Sequence, residues 1–420
     1  MTRAQRLGGL VSLSFAALLL ALSIGCGSLK PASESAPKDS AVMDSTPMDK
    51  MEVHLLAFSQ GGRVGVMMPD GKESILLSPG PGDYSPVWSP DGAMIAFTRL
   101  FPQNQKGTYV MKADGSGVKK VLDAASYYMS PIWAPDGQRL AMNDHDPDRR
   151  GLWTVKVDGT DPKQIFKDAL PTEAAAWSPD GKTIAFTYNK QPTTGGLYLI
   201  DANGGEPKLV VDVPNGGLYR AGAVAWSPDG THLAVRSNPQ PAKEGHPAVS
   251  PMLSLVKVEK DGGAKVMQRV SGLAEGPWVP AWHLSSYTVA ALMQGSNGRQ
   301  QLAAVSRDTG KVEILGEQAR MRSPVWSADG GTLMAPAYDA ADKPRGMIMQ
   351  VILKDPSMGW DMSHDMTDLM KPDQMSMMGN ETQIAVSPKS FTGSMPSAKP
   401  AAEAKLEGLR WADMTWKGFT

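Results

Sequence analysis

The 420-residue chain has a single cysteine, Cys26, and only six histidines. One thiol excludes a disulfide framework, and so few Cys and His exclude a zinc site built on several of them. No charge of one sign prevails. Lys and Arg number 42 against 43 Asp and Glu, so no global field draws the chain to nucleic acid. A Walker loop, G-x-S-x-G, H-E-x-x-H and C-x-x-C are all absent from the sequence, which removes the common nucleotide, serine-nucleophile and metalloprotease readings and leaves no cofactor to expect. What is abundant is Gly, at 43, and Pro, at 33. That surplus means many turns, and therefore many short strands rather than long helices.

The first residues read as a targeting segment. Arg3 and Arg6 precede an apolar stretch from Leu10 to Ile24, shorter than the roughly twenty residues of a membrane span. The stretch ends in Ser23-Ile24-Gly25-Cys26. It resembles a bacterial lipoprotein signal, in which cleavage after the small residue leaves the cysteine to carry lipid. Ser23 departs from the usual Leu of that motif, and an ordinary export signal or an uncleaved anchor is the alternative. The reading is a signal peptide over 1–25, then the lipidated Cys26 and a flexible tether over 26–50. The tether is rich in Ser, Pro, Ala, Lys and Asp and has too little apolar surface to form a core. A coil of that length spans about 25–30 Å. The globular part is thus expected outside the cytoplasm, as a membrane-anchored lipoprotein on the periplasmic face or the cell surface.

An internal repeat decides the fold class. The strings SPVWSPDG (85–92), SPIWAPDG (130–137), AAAWSPDG (174–181), AVAWSPDG (223–230), VPAWHLSS (279–286) and SPVWSADG (323–330) recur. Their tryptophans, Trp88, Trp133, Trp177, Trp226, Trp282 and Trp326, are 45, 44, 49, 56 and 44 residues apart. That is the period of a four-stranded propeller blade. In Ser-Pro-Asp-Gly, Pro presets its own φ, Asp bonds the local backbone and Gly accepts positive φ, so the string is a tight turn. A short apolar strand follows, such as Ile95-Ala96-Phe97-Thr98, then a third strand such as Thr108-Tyr109-Val110-Met111 and a turn at Ala113-Asp114-Gly115. A sheet with two apolar faces cannot stand alone, so the blades must stack around an axis. Each Trp, at about 200 Å² buried, then contributes roughly 5 kcal/mol gross to the packing between blades. The string at Trp282 lacks Pro-Asp-Gly, which predicts a different hairpin in that blade.

These strings resemble the propeller repeat of the TolB family over roughly residues 51–390. The resemblance implies an all-β single propeller of four-stranded antiparallel sheets. Residues 54–77 match strands two to four of a blade without its Trp strand. Ile384-Ala385-Val386-Ser387-Pro388-Lys389-Ser390 supplies that strand, with Val386 at the Trp position. The count is then seven blades, the two chain ends sharing one. A rival closing strand is Leu409–Met414, and six blades result if the N-terminal strands form none. Residues 391–420 are a low-complexity segment and an aromatic C-terminal tail. Repeats of this type also precede the hydrolase domain of prolyl-oligopeptidase-like peptidases, but only about thirty residues follow the closing strand, too few for that α/β domain. Nor can residues 27–50 be the additional N-terminal domain of TolB.

Two stretches hold weak metal candidates. Asp144, Asp146 and Asp148 alternate loosely like a calcium loop, but the Gly at the sixth position and the distal Glu of such a loop are missing. A solvated loop is the simpler reading. In the Met-rich stretch 358–378, Met362, His364 and Met366 carry soft ligands of the kind that suit Cu(I). A gap-filling Met stripe explains the same pattern.

Comparison between the repeats points to a candidate recognition surface. Pro86, Pro131, Pro280 and Pro324 recur two residues before the Trp, as scaffold. Four residues before the Trp stand Tyr84, Met129, Glu173, Gly222, Trp278 and Arg322, which are chemically diverse, with Tyr128 and Arg220 close by. A register that stays equivalent while its chemistry varies is a candidate binding rim: Tyr84, Tyr128, Met129, Glu173, Arg220, Trp278 and Arg322. Ordinary loop variation is the bland alternative. The expectation is a non-enzymatic binding or scaffold lipoprotein of the bacterial cell envelope, with no catalytic residues. Its partner would be an envelope protein or a surface polymer, much as TolB docks a peptidoglycan-associated lipoprotein. The alternative is a lyase or hydrolase acting on a polysaccharide in the channel, which the scattered histidines disfavour. The sequence leaves the partner's identity and the oligomeric state open.

Overall fold

The computed structural model describes residues 54–68, 73–100, 106–123, 131–144, 146–168, 172–191, 194–212, 221–237, 250–276, 278–318, 320–326, 330, 332–338, 344–352, 384–390 and 395. The proposed signal, the tether, the Met-rich stretch and the rival closing strand all lie outside these residues.

Twenty-eight strands are described, together with one short 3₁₀ turn at Ser296–Gly298. The first three are β1 (His54–Gln60), β2 (Arg63–Met67) and β3 (Ser74–Leu76). The second blade comprises β4 (Asp83–Trp88), β5 (Met94–Arg99), β6 (Gly107–Lys112) and β7 (Lys119–Leu122). The third comprises β8 (Ile132–Trp133), β9 (Arg139–Asp144), β10 (Gly151–Lys156) and β11 (Lys163–Lys167). The fourth runs through β12 (Thr172–Trp177), β13 (Thr183–Gln191), β14 (Thr194–Asp201) and β15 (Lys208–Asp212). The fifth has β16 (Ala221–Trp226), β17 (His232–Ser237), β18 (Met252–Val258) and β19 (Ala264–Ser271). In the sixth are β20 (Ala281–Trp282), β21 (Thr288–Gln294), β22 (Gln300–Ser306) and β23 (Val312–Gln318). In the last blade the first strand is split into β24 (Arg320–Met321) and β25 (Val325–Trp326), both paired with β26 (Thr332–Tyr338), beside which lies β27 (Pro344–Ile352). Finally β28 (Ile384–Ser390) returns to pair antiparallel with β1 and completes the first blade in the order β28-β1-β2-β3. Among the described residues there are thus seven four-stranded sheets.

The first strands approach one another in cyclic order, β4 to β8, β12, β16, β20 and β25, then β28, which in turn approaches β4. The ring is a propeller closed by the pairing of β28 with β1. The register places Val386 opposite Leu56, just as Trp88 lies opposite Ile95 and Trp177 opposite Ile184.

Each second strand is an apolar run because both of its faces are covered. Ile95, Ala96, Phe97, Ile184, Ala185 and Phe186 are all fully buried. The Trp side chains add a directional link. The indole Nε1 of Trp133 donates to Val87 O at 3.2 Å and that of Trp177 to Ile132 O at 3.2 Å. Trp226 donates to Ala176 O at 3.2 Å, Trp282 to Ala225 O at 3.0 Å and Trp326 to Ala281 O at 3.1 Å. In every case the acceptor is the residue just before the Trp of the preceding blade. Trp88 follows the closing blade, and its buried Nε1 has no acceptor. The closing blade in turn has Val386 where an indole would donate back to the β25 strand of the preceding blade. Five of the seven junctions therefore carry the link, and the two that lack it flank the closing blade, the seam of the ring.

The hairpins at the ends of these strands repeat in detail. Ser89 Oγ donates to Asp91 Oδ1 at 2.6 Å and accepts from Met94 N at 2.9 Å, and Gly92 N donates to Ser89 O with Gly92 at φ +66°. Ser178–Asp180 and Ser227–Asp229 repeat the side-chain contact at 2.6 Å. The different hairpin expected at Trp282 is not found. Ser286 N donates to His283 O at 2.9 Å and His283 N to Thr288 O at 2.9 Å, the same pattern, with Ser286 at φ +64° in the glycine's place. His283 Nδ1 takes the role of the Ser hydroxyl, at 2.8 Å from Ser285 Oγ. The strain of a left-handed serine, about 1–2 kcal/mol, is offset locally because Ser286 Oγ accepts from Asp229 N of the preceding blade at 3.0 Å.

The relay yields an asymmetry that can be measured. Trp177→Phe keeps most of the apolar contact but leaves Ile132 O without its donor, and should cost about 1 kcal/mol more than Trp88→Phe, whose indole N–H has no acceptor to lose. Thermal melts of the two variants check this, and equal losses would deny the indole bond a role.

Candidate functional site

Strand direction sorts the ring into two faces. The tight turns lie at one end of each sheet. At the other end, the first strand begins and the second strand finishes, as the pairs Asp83↔Arg99, Thr172↔Tyr188 and Ala221↔Ser237 show. The proposed rim belongs to this second end.

There the pairing of the first strand is interrupted in blade after blade. The ladder shifts register between Tyr84 and Val87, between Thr172 and Ala174, and between Ala221 and Ala223. Residue 278 precedes β20 altogether, and residue 322 lies in the break between β24 and β25. The interruptions fall beside Tyr84, Glu173, Gly222, Trp278 and Arg322. A break of this kind frees the local backbone to re-aim a side chain.

The structure distributes the rim candidates unevenly. Tyr84 and Arg322 are half-buried, and Arg322 N donates to Pro336 O at 3.0 Å. Glu173 lies on β12, although its side chain falls outside the described residues, as do Tyr128, Met129 and Arg220. Trp278 is only 2% exposed, and its Nε1 donates to Ala274 O at 2.9 Å. It is a packed residue behind the rim rather than a surface one.

Charged groups are buried at the same end. Arg99 Nε donates to Asp83 Oδ1 at 2.5 Å and Nη2 to Asp83 Oδ2 at 2.8 Å, with both residues buried. The guanidinium also lies 4.4 Å from the Tyr109 ring centroid. Burial pulls the Arg99 pKa down, but the bonds and charge of Asp83 outweigh it and leave the group above its ordinary value. Removing one partner from such a pair costs about 3–5 kcal/mol, because a buried charge is left alone.

Asp144, one of the weak calcium candidates, is fully buried and already engaged. It accepts from Arg149 Nη2 at 2.7 Å and from Asp146 N at 3.0 Å, while Asp148 N donates to Asp146 at 3.1 Å. Among the described residues no group of three His, Cys, Asp or Glu is placed to hold a metal. The copper candidates Met362, His364 and Met366 lie outside those residues.

Arg236 was not legible as a site residue. It stands three residues after Leu233, the partner of Trp226, at the register where the other blades have Ser59, Thr98, Asn143, Thr187, Leu292 and Pro336. That one cation among small or neutral residues was the available signal. Arg236 is 2% exposed, and its Cζ lies 5.1 Å from the Trp278 ring centroid.

Two histidines belong to the turn face. Ser285 N donates to His283 Nδ1 at 3.1 Å, so the proton sits on Nε2, which contacts Gly330 O of the next blade at 3.1 Å. Burial lowers the His283 pKa, partly opposed by that carbonyl. Burial also lowers His232, followed by the charge of Arg307.

A family model described as the TolB beta propeller domain matches residues 103–357. No curated protein matches the sequence. Among solved structures, TolB from Acinetobacter baumannii is 16% identical at a TM-score of 0.45, covering 62% of each chain. The present chain thus spans 62% of that TolB's length. Oligogalacturonate lyase from Vibrio parahaemolyticus is 11% identical at a TM-score of 0.50, covering 68% of this chain and 83% of its own. A protein described as a 6-phosphogluconolactonase, from Bacteroides uniformis, is 12% identical at a TM-score of 0.54, covering 80% and 100%. At these identities the likeness concerns the fold.

The depressed histidines give stability a sign with pH. Above the ordinary His value both forms of the chain are neutral at these rings. As pH falls below about 6.5 the unfolded chain takes up protons that folded His283 and His232 resist, so stability is lost on acidification until the folded pKa values are passed. The melting temperature should fall between about pH 7.5 and 5.5, a range above most carboxylate titration, and His283→Gln should flatten that fall. An unchanged slope in the variant would contradict the assignment.

Proposed function

The chain belongs to the TolB beta propeller domain family, and we propose that it is a non-enzymatic binding or scaffold lipoprotein of the bacterial cell envelope. In this reading Cys26 carries the lipid, residues 27–50 are the tether, and the ring presents the mouth opposite its tight turns to an envelope protein or a surface polymer. The observation that carries the reading is the interrupted first-strand ladder. It recurs at one register around the ring, and the residues there differ in kind: Tyr84, Glu173, Gly222 and Arg322. Repeated geometry with unrepeated chemistry suits recognition of an irregular partner surface, since a scaffold position keeps its residue, as the blade tryptophans do. Tyr and Arg are also the residue types that anchor such contacts. Tyr128, Met129 and Arg220 extend the same rim in sequence.

The test uses the full chain in intact cells. A photo-crosslinker placed beside the rim should capture a defined partner. The combined variant Tyr84→Ala, Glu173→Gln, Arg322→Ala should reduce that capture by at least about tenfold while the melting temperature holds. Cys26→Ser should release the protein from the membrane fraction. Undiminished capture by the triple variant would overturn the rim. Depolymerisation of an envelope polysaccharide by the purified chain would overturn the non-enzymatic reading in favour of a lyase or hydrolase.

A further inference from the structure

Three arginines lie over aromatic rings among the described residues. Arg99 lies over Tyr109 at 4.4 Å and Arg307 over Tyr287 at 4.4 Å. Each also meets carboxylates: Arg99 binds Asp83 through two bonds, and Arg307 meets Asp229 at 3.2 Å and Asp308 at 2.9 Å. Arg236 has the ring, Trp278 at 5.1 Å, but among the described residues it has no carboxylate partner. Its buried Nε and Nη1 have no hydrogen-bond acceptor. Its strand neighbours are Ala223 on β16 and Leu253 on β18, one small and both apolar. Burial alone pulls its pKa down to about 10, with no opposing charge, so it remains a cation at neutral pH.

A guanidinium has five donors and no acceptor, and a ring face satisfies none of those donors. The attraction to a desolvated indole offsets only part of the cost of burying an unpaired charge. The other two arginines solve that problem with a carboxylate partner. We propose that Arg236 and Trp278 form a binding site for an oxyanion, a carboxylate or phosphate group, supplied by a ligand rather than by the blades. The site lies where blade five meets the Trp278 segment that leads into β20, toward the rim end of β17. It goes beyond the docking reading and stands or falls separately from it. Trp278 acts as the wall: its own N–H is committed to Ala274 O, so the ring offers its face to the cation and no donor to the anion. An oxyanion there would accept charge-assisted bonds of the short, strong class.

The test is the melting temperature of the purified chain in acetate or inorganic phosphate against chloride at equal ionic strength. At about 10 mM anion and neutral pH, wild type should melt about 2 °C higher in at least one of the two than in chloride. Whichever arm moves it identifies the group. Arg236→Met keeps the length and removes the charge, and it should melt alike in all three salts. Arg236→Lys guards against a folding failure of the Met variant: it keeps a charge but not the planar fork, and should weaken the anion response by about tenfold in midpoint. Wild type that melts equally in all three salts would overturn the site, as would an anion response unchanged in Arg236→Met or, should that variant not fold, in Arg236→Lys.

Discussion

The bond from each blade's indole to the carbonyl just before the previous blade's tryptophan links the sheets in sequence. A four-stranded sheet with two apolar faces has no stable existence alone, and hydrophobic contact between two such sheets does not by itself set their spacing or tilt. A donor fixed to one blade and an acceptor fixed to the next do set them. Five links of 3.0–3.2 Å repeat with the same acceptor position, so every junction they span has one geometry. The spacing of the tryptophans in the chain and the angular spacing of the blades are one constraint seen in two ways.

The constraint fails at the two junctions that flank the closing blade, β25 to β28 and β28 to β4. β28 and β1 join the two ends of the propeller, Val386 brings no indole, and the Nε1 of Trp88 is left over. Closure there rests on the strand ladder and on apolar contact, with Leu56 and Phe58 buried beneath. The turn face adds junctions of its own, such as Ser286 to Asp229 and His283 to Gly330. The opposite mouth has broken ladders and buried arginines. One face is built for uniformity, and the other is where blades differ.

Much of this was legible because it is periodic. The Trp spacing yielded the blades, and the fit of residues 384–390 to a missing first strand put Val386 at the Trp position, where the structure pairs it with Leu56. The hairpin at Trp282 was misread because the sequence argument followed residue identity, whereas the turn demands a positive φ and a hydrogen-bonding pattern, which Ser286 and His283 also supply. Trp278 looked like a rim residue from its register but is packed, since register fixes height along a strand and not depth. Arg236 escaped notice because a lone arginine in an apolar strand carries no periodic signal. Its isolation is a property of its neighbours in three dimensions.

The central claim is that the ring is held by the indole relay and is weakest at its seam. Native-state hydrogen exchange, resolved strand by strand, tests it most directly. Local openings report the free energy of each cooperative unit. The account predicts that β1, β2 and β28 exchange through an opening of lower free energy than β12, β13 and β14, whose blade is linked on both sides. Protection of the closing strands equal to or greater than that of β12–β14 would contradict it.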